Sequence, residues 1–336
     1  VSDRFLRACR REEADCTPVW FMRQAGRCLP EYRAIRKHHS LLEIVRQPEL
    51  CAEVTLQPVD RLGVDAAIVF SDITLPFLGL GVQFEIQSGV GPVVESPFRE
   101  PTDVERLSVF DPRSDLAELF EAIDLIRRAS PVPVIGFAGA PFTLAAYLIE
   151  GRPSRRFHLV KGFMHLHPCA WRRLMEQLTE ATIAYLTAQV EAGVQVLQIF
   201  DSWVGALSPG DYRESIQPHM ERLFAGLPSV PTIHFGTDTA GLLPFLAQAG
   251  GDVIGLDWRI DLDRGWKIVG DRGVQGNLDP VVAAGPWEVA ERQTRAILAA
   301  ADGRRGHVFN LGHGVLPHTP VDNLKRLVEL VHEETA

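Results

Sequence analysis

Apolar residues along the chain gather in short runs rich in valine, isoleucine and phenylalanine. Each run is followed by a polar stretch and then by a segment with apolar positions three and four apart. Eight such runs occur: Pro18–Met22, Ala66–Phe70, Val132–Phe137, Val194–Phe200, Pro231–Phe235, Val253–Leu256, Gly273–Gly276 and His307–Leu311. Most lack alternation, the pattern of strands buried on both faces of a parallel sheet. The intervening spacing predicts helices over Glu49–Leu62, Glu176–Ala192, Pro209–Leu227, Ala240–Ala249, Pro286–Ala301 and Pro320–Glu334. Eight β–α units predict an α/β fold, a single (β/α)8 TIM barrel forming one domain over residues 1–336. A doubly wound sheet is disfavoured because no GxGxxG follows the first run. One stretch breaks the rhythm. Gly79–Val94, GLGVQFEIQSGVGPVV, alternates and carries glycine turns, and it reads as a β-hairpin inserted after the second strand.

A barrel of this kind carries its chemistry just beyond the C-terminal ends of its strands. Polar residues stand there after every run: Arg23-Gln24, Ser71-Asp72, the AGAPFT loop, Asp201-Ser202, His234 within the fifth run, Asp257, Gln275 with Asn277, and Asn310 with His313.

The composition narrows the function. The formal net charge is −9, which disfavours nucleic acid as a partner. No apolar run reaches the roughly 20 residues that cross a bilayer, and the opening VSDRFLRACRREEADC has no secretory core, so a cytoplasmic protein without membrane contact is expected. The five cysteines (Cys9, Cys16, Cys28, Cys51, Cys169) are odd in number and irregularly spaced, which speaks for reduced thiols rather than a disulfide framework or zinc ribbon. His38-His39 and His165 with His167 are suggestive but lie in a helical, charged or surface-like context, His332-Glu333 lacks the second histidine of a zincin motif, and no metal is expected.

Two segments stand out. Pro18–Tyr32, PVWFMRQAGRCLPEY, carries Arg23 and Arg27 on a turn with Gln24, Ala25 and Gly26 between them. Such a pair can hold carboxylates, or can equally be surface arginines at a helix start. Gly136–Gly151, GFAGAPFTLAAYLIEG, permits close backbone approach to a ligand, or close packing alone, with Tyr147 a turn into the next helix.

These two segments resemble the signatures of the uroporphyrinogen decarboxylase family. The likeness continues through IVFSDI (Ile68–Ile73), QIFDSW (Gln198–Trp203), GLDW (Gly255–Trp258), QGNLDP (Gln275–Pro280) and NLGHG (Asn310–Gly314), in order over nearly the whole chain. The resemblance implies a homodimeric, cofactor-free carboxy-lyase of haem biosynthesis. It would remove CO2 from the four acetate side chains of uroporphyrinogen III to give coproporphyrinogen III. Asp72 would be the central carboxylate facing the pyrrole N–H groups, with Arg23 and Tyr147 as its catalytic companions. Arg23, Gln24, Ala25, Gly26 and Arg27 would line the substrate's carboxylates. Ser202 and His313 would add polar contacts, and Phe70, Phe137 and Phe200 an apolar wall. Cys28 departs from the family's usual tyrosine.

The chemistry agrees with that assignment. Electrons released with CO2 need a sink, a protonated pyrrole supplies one, and an ionised carboxylate in an apolar pocket stabilises that cation. Arginine is a poor general acid, so electrostatic and positioning roles suit Arg23 better than proton donation. The rival on this barrel, a zinc-dependent corrinoid or thiol methyltransferase, needs a His-x-Cys. Here His234-Phe235-Gly236 stands in that place, and no cysteine follows Cys169.

Overall fold

The computed structural model describes residues 3–336. Its strands are β1 (Ala67–Ile68), β2 (Phe84–Gln87), β3 (Gly91–Val94), β4 (Val134–Gly139), β5 (Val196–Asp201), β6 (Thr232–Gly236), β7 (Val253–Gly255), β8 (Gly273–Gln275) and β9 (His307–Val308). Seven of them form one curled, all-parallel sheet in the order β1-β4-β5-β6-β7-β8-β9, an α/β architecture with helices between successive strands. The fully buried strands β4 and β6 match the unbroken apolar runs that predict them, because helices cover the outer face while side chains fill the inner one. Strands β2 and β3 pair antiparallel, Phe84 opposite Val94 and Gln87 opposite Gly91.

The first apolar run behaves differently. Of Pro18–Met22, only Val19 makes a ladder contact, a parallel bridge to Phe309. Phe309 N donates to Pro18 O at 2.9 Å and Trp20 N to Phe309 O at 3.3 Å; on the other side Asp65 N donates to Val19 O at 2.8 Å. The remaining N–H groups are taken by side chains: Val19 N by Asp65 Oδ2 (2.7 Å), Phe21 N by Gln24 Oε1 (2.9 Å) and Met22 N by Asn310 Oδ1 (3.1 Å). Proline has no N–H to give, and Arg23 turns to φ +62°, so the extended run is bounded at both ends.

The helices follow the periodicity with shifted ends. The expected Glu176–Ala192 is the C-terminal part of Pro168–Glu191, which starts earlier with proline at its first position. The expected Pro209–Leu227 is two helices, Pro209–Ser215 and Gln217–Gly226. Ile216 leaves helical geometry at φ −126°, ψ −49°, just ahead of Pro218. Ala240–Ala249 shortens to Leu243–Ala249, with Pro244 in its first turn. Ala117–Ala129, packed on Pro48–Leu62, and His158–Leu166 are further helices that the sequence reading leaves out.

Most of the core is one continuous apolar cluster, with a smaller one around Leu256, Trp266 and Val274. At the N-terminal ends of the strands a polar clasp ties chain start to chain end. The nearly buried Asp65 accepts from Arg4 Nη1 (3.0 Å) and Val19 N (2.7 Å), and pairs with His332 Nε2 (2.7 Å). Among the described residues no helix is long and apolar enough to cross a membrane.

Candidate active site

The chain segments leaving the C-terminal ends of the strands converge on one mouth. Arg23 and Arg27 sit on the turn after the Val19 bridge, and both are exposed. Arg23 lies across Gly314: a Cβ on that glycine would come within 2.5 Å of Arg23 Cδ and 2.8 Å of its Cγ. This close approach joins the RQAGR turn to the LGHG segment. Gly26 adopts φ +148°, a conformation that favours glycine. Ala25 is half-buried beside it.

Gln24 faces inward, unlike the exposed Arg23 and Arg27 on the same turn. It is fully buried; its Oε1 accepts from Phe21 N and its Nε2 donates to Ala66 O at 2.8 Å. It braces the arginine turn against the start of β1.

Asp72 follows β1 and is half-buried. Its Oδ1 accepts twice from Thr74, from the backbone N (2.9 Å) and from Oγ1 (2.6 Å). This short local turn fixes the carboxylate and leaves Oδ2 with no protein donor among the described residues. Tyr147, in the helix Pro141–Glu150, feels both Asp72 and Arg23. Burial pushes its hydroxyl well above the usual tyrosine range, the Asp72 charge adds to that, and Arg23 opposes it. The three residues that the sequence singles out as a catalytic set therefore share one electrostatic neighbourhood.

Aromatic rings line the mouth in a continuous file. Phe137 meets Phe200 edge-on at 5.5 Å, Phe200 meets Phe235 at 6.0 Å, and Phe235 meets His313 at 6.3 Å. Phe70, 5 % exposed, packs on Tyr32 at 5.5 Å, and its backbone is gripped by Thr55 and Cys51 of Pro48–Leu62. Ser202 is half-buried, its carbonyl accepting from the Thr237 hydroxyl.

His313 accepts from Gly314 N through Nδ1 at 2.6 Å. Burial first, then the charges of Arg23 and Arg27, push its pKa down to about 4, Asp257 opposing and Arg259 adding to the depression. Near neutral pH the ring is uncharged and Nε2 carries the proton, a donor suited to a carboxylate. Partial burial and repulsion from Arg23 likewise lower Arg27, and Tyr32 opposes.

Three further residues gain a part only in the folded chain, among them Asp257, which the sequence places after a strand without a role. Trp203 stacks on Tyr147 with ring centroids 4.0 Å apart. Phe235 completes the aromatic file; its pairing partner on β5 is Phe200, so the alignment of the two apolar runs carries the signal. Asp257 gathers Asp238 N (2.6 Å), Arg259 N (3.0 Å) and Arg259 Nη1 (2.6 Å) beside His313, and only the long-range fold reveals that. Among the described residues no group of three or more histidines, cysteines, aspartates or glutamates is disposed to hold a metal.

Comparison with known proteins adds three findings. The family model described as uroporphyrinogen decarboxylase (URO-D) matches residues 1–334. Curated proteins named uroporphyrinogen decarboxylase are similar over nearly their whole length. The one from Sorangium cellulosum is 54 % identical, with 99 % of this chain and 96 % of that protein covered; one from Thermus thermophilus is 52 % identical, with 100 % and 99 % covered. Among solved structures, a methyltransferase from Methanosarcina mazei superposes with a TM-score of 0.84 at 22 % identity, over 99 % of this chain and 98 % of that one. At that identity the likeness is one of fold.

Proposed function

The chain belongs to the uroporphyrinogen decarboxylase family, and on that premise we propose that the mouth described above removes CO2 from the acetate side chains of uroporphyrinogen III, yielding coproporphyrinogen III. The reaction class is that of a carboxy-lyase. The observation that carries the site assignment is the half-tied carboxylate of Asp72: Thr74 holds Oδ1 while Oδ2 stays open, and the Asp72 and Arg23 charges both act on Tyr147.

In this reading Oδ2 accepts the pyrrole N–H groups and draws the flexible macrocycle around one point. Protonation of a pyrrole carbon makes the ring cationic, and the ionised Asp72 stabilises it in a mostly apolar surround. The bond between the acetate methylene and its carboxylate then breaks, its electron pair flows into the cationic ring, and CO2 leaves. A proton added to the methylene carbon completes the methyl group, and the ring carbon gives back the proton it first took up, so that the neutral pyrrole is restored and one proton is consumed for each CO2 lost. Arg23 and Arg27 hold substrate carboxylates, and neutral His313 donates Nε2–H to another. Ala25, Gly26 and Ser202 line the substrate's path. Phe70, Phe137 and Phe200 form the apolar wall, while Gln24 keeps the arginine turn in place.

The finer architectural reading is a closed (β/α)8 barrel forming one domain, with the Val19 segment as its remaining stave and the β2–β3 pair as an insertion. The Val19–Phe309 bridge and the Asp65–Val19 bond support that closure. A homodimer in the cytoplasm accompanies the family resemblance. The test is chromatography of the porphyrins formed after air oxidation. Purified chain given uroporphyrinogen should yield coproporphyrin through intermediates with progressively fewer carboxylates. Unchanged substrate, or turnover only with added zinc, would overturn the proposal.

A further inference from the structure

The loop after the helix Pro141–Glu150 reads Gly151-Arg152-Pro153-Ser154-Arg155-Arg156-Phe157, three arginines within five residues and no acid. It is braced at several points. Glu150 Oε1 reaches across it to accept from Leu159 N (3.0 Å) and Val160 N (3.1 Å) in the first turn of His158–Leu166. Ser154 Oγ accepts from the N–H groups of Arg156 (3.3 Å) and Phe157 (3.1 Å). The β2–β3 hairpin backs the loop. Val94 N donates to Gly151 O at 2.8 Å, and Pro153 Cγ would lie 3.5 Å from a Cβ on Gly91.

The far end of the loop points to the mouth. Phe157 adopts φ +50°, uncommon for a bulky side chain, with its ring 5.3 Å from that of Trp203. Trp203 in turn stacks on Tyr147. Arg155 and Arg156 thus stand two residues and one residue from a ring that is two stacking steps from the Tyr147 edge. All three arginines are exposed, and none takes part in an ion pair among the described residues. The neighbouring acid, Glu150, already serves the helix start. In a chain of net charge −9 these exposed, unpaired arginines form a local positive rim next to the Phe157–Trp203–Tyr147 stack.

We propose that Arg155 and Arg156 set a preference for the more highly charged members of the substrate series. The inference rests on the decarboxylase reading and deepens it. Arg23, Arg27 and His313 can hold only a few carboxylates near the reacting ring. The other arms of a wide, octacarboxylate macrocycle extend towards the rim. Each turnover replaces a carboxylate by a methyl group, so the rim's pull weakens stepwise and the tetracarboxylate product leaves most readily. The hairpin, which contributes no residue to the centre of the mouth, serves here as the prop that holds the arginine loop in place.

The test compares kcat/KM for the octacarboxylate and for a pentacarboxylate porphyrinogen, with wild type and the Arg155→Gln/Arg156→Gln double variant, at low ionic strength and at about 0.3 M salt. The variant should lose about tenfold on the octacarboxylate and about twofold on the pentacarboxylate, and salt should erase the difference. Arg155→Lys/Arg156→Lys should keep wild-type discrimination, because charge rather than guanidinium geometry is at work. Equal losses on both substrates, no loss, or a lysine variant as impaired as the glutamine one would overturn the proposal. A wild-type protein that consumes neither substrate would instead sink the decarboxylase reading.

Discussion

Replacing Asp72 by asparagine keeps the side-chain volume and removes the charge, and the surroundings dictate how the amide will sit. Thr74 presents two donors to Oδ1, its backbone N at 2.9 Å and its hydroxyl at 2.6 Å. In Asp72→Asn the amide oxygen is the group that can accept them, so the NH2 must take the place of Oδ2. A pyrrole N–H arriving there meets a donor instead of an acceptor. Two losses therefore combine. With an effective dielectric constant of about 20, unit charges about 4 Å apart attract by about 4 kcal/mol, which the cationic ring forfeits. That alone corresponds to a rate factor on the order of 10³. The unmet N–H groups add about 1 to 3 kcal/mol in binding. The assay is single-turnover decarboxylation followed by chromatography of the oxidised porphyrins, with thermal unfolding as the check on the fold. The expected result is a kcat at least about a thousandfold lower with stability changed by less than about 1 kcal/mol. A kcat within about tenfold of wild type would refute the electrostatic account.

Gly314→Ala should raise KM about tenfold while the fold survives, because the new methyl displaces Arg23, a flexible side chain, from its course across the glycine; steady-state kinetics showing an unchanged KM would contradict this. Asp65→Ala should cost about 3 to 5 kcal/mol in urea unfolding, since it strips Arg4, His332 and Val19 N of a shared, nearly buried acceptor at the end of the strands remote from the mouth; a cost below about 1 kcal/mol would dismiss the clasp. Fully buried His307, its Nε2 3.1 Å from Gly276 O, is pushed by burial from 6.5 down to about 4. Below pH 6.5 the unfolded chain takes up a proton that the folded one refuses, so stability present above that pH is lost as the pH falls towards 4, by about 3 kcal/mol in all. Urea midpoints at several pH values should show this slope in wild type and a shallower one in His307→Gln; parallel slopes would exclude His307 as the source.

Sequence periodicity carries the sheet because the central strands are buried on both faces and are filled mostly by apolar side chains, with a few buried polar ones such as Gln198, His234 and Gln275. It fails where a proline imposes a local rule, as at Ile216, and where short elements such as His158–Leu166 depend on a cap from Glu150. The candidate site is legible as a set of residues, because a parallel sheet sends the segments that follow its strands to the same end. Orientation is not legible. Gln24 sits between two exposed arginines, yet points inward because Ala66, 42 residues away, offers its carbonyl. Trp203 gains its place through Tyr147, and Asp257 through Arg259 and the loop carrying Asp238; these are contacts that only the closed-up chain creates.

The Val19–Met22 backbone has a consequence of its own. Three of its amides are secured by side chains, those of Asp65 and Asn310 from distant parts of the chain and that of Gln24 from the next turn, and only Trp20 N by the bridged Phe309. Tolerance to substitution around this seam is therefore governed by donor and acceptor inventory as well as by the packing of the buried Val19–Met22 side chains. A swap as mild as Asn310→Leu would leave Met22 N without its acceptor and loosen one of the anchorages of the Arg23 turn, so that a change made on one edge of the molecule would be felt at another.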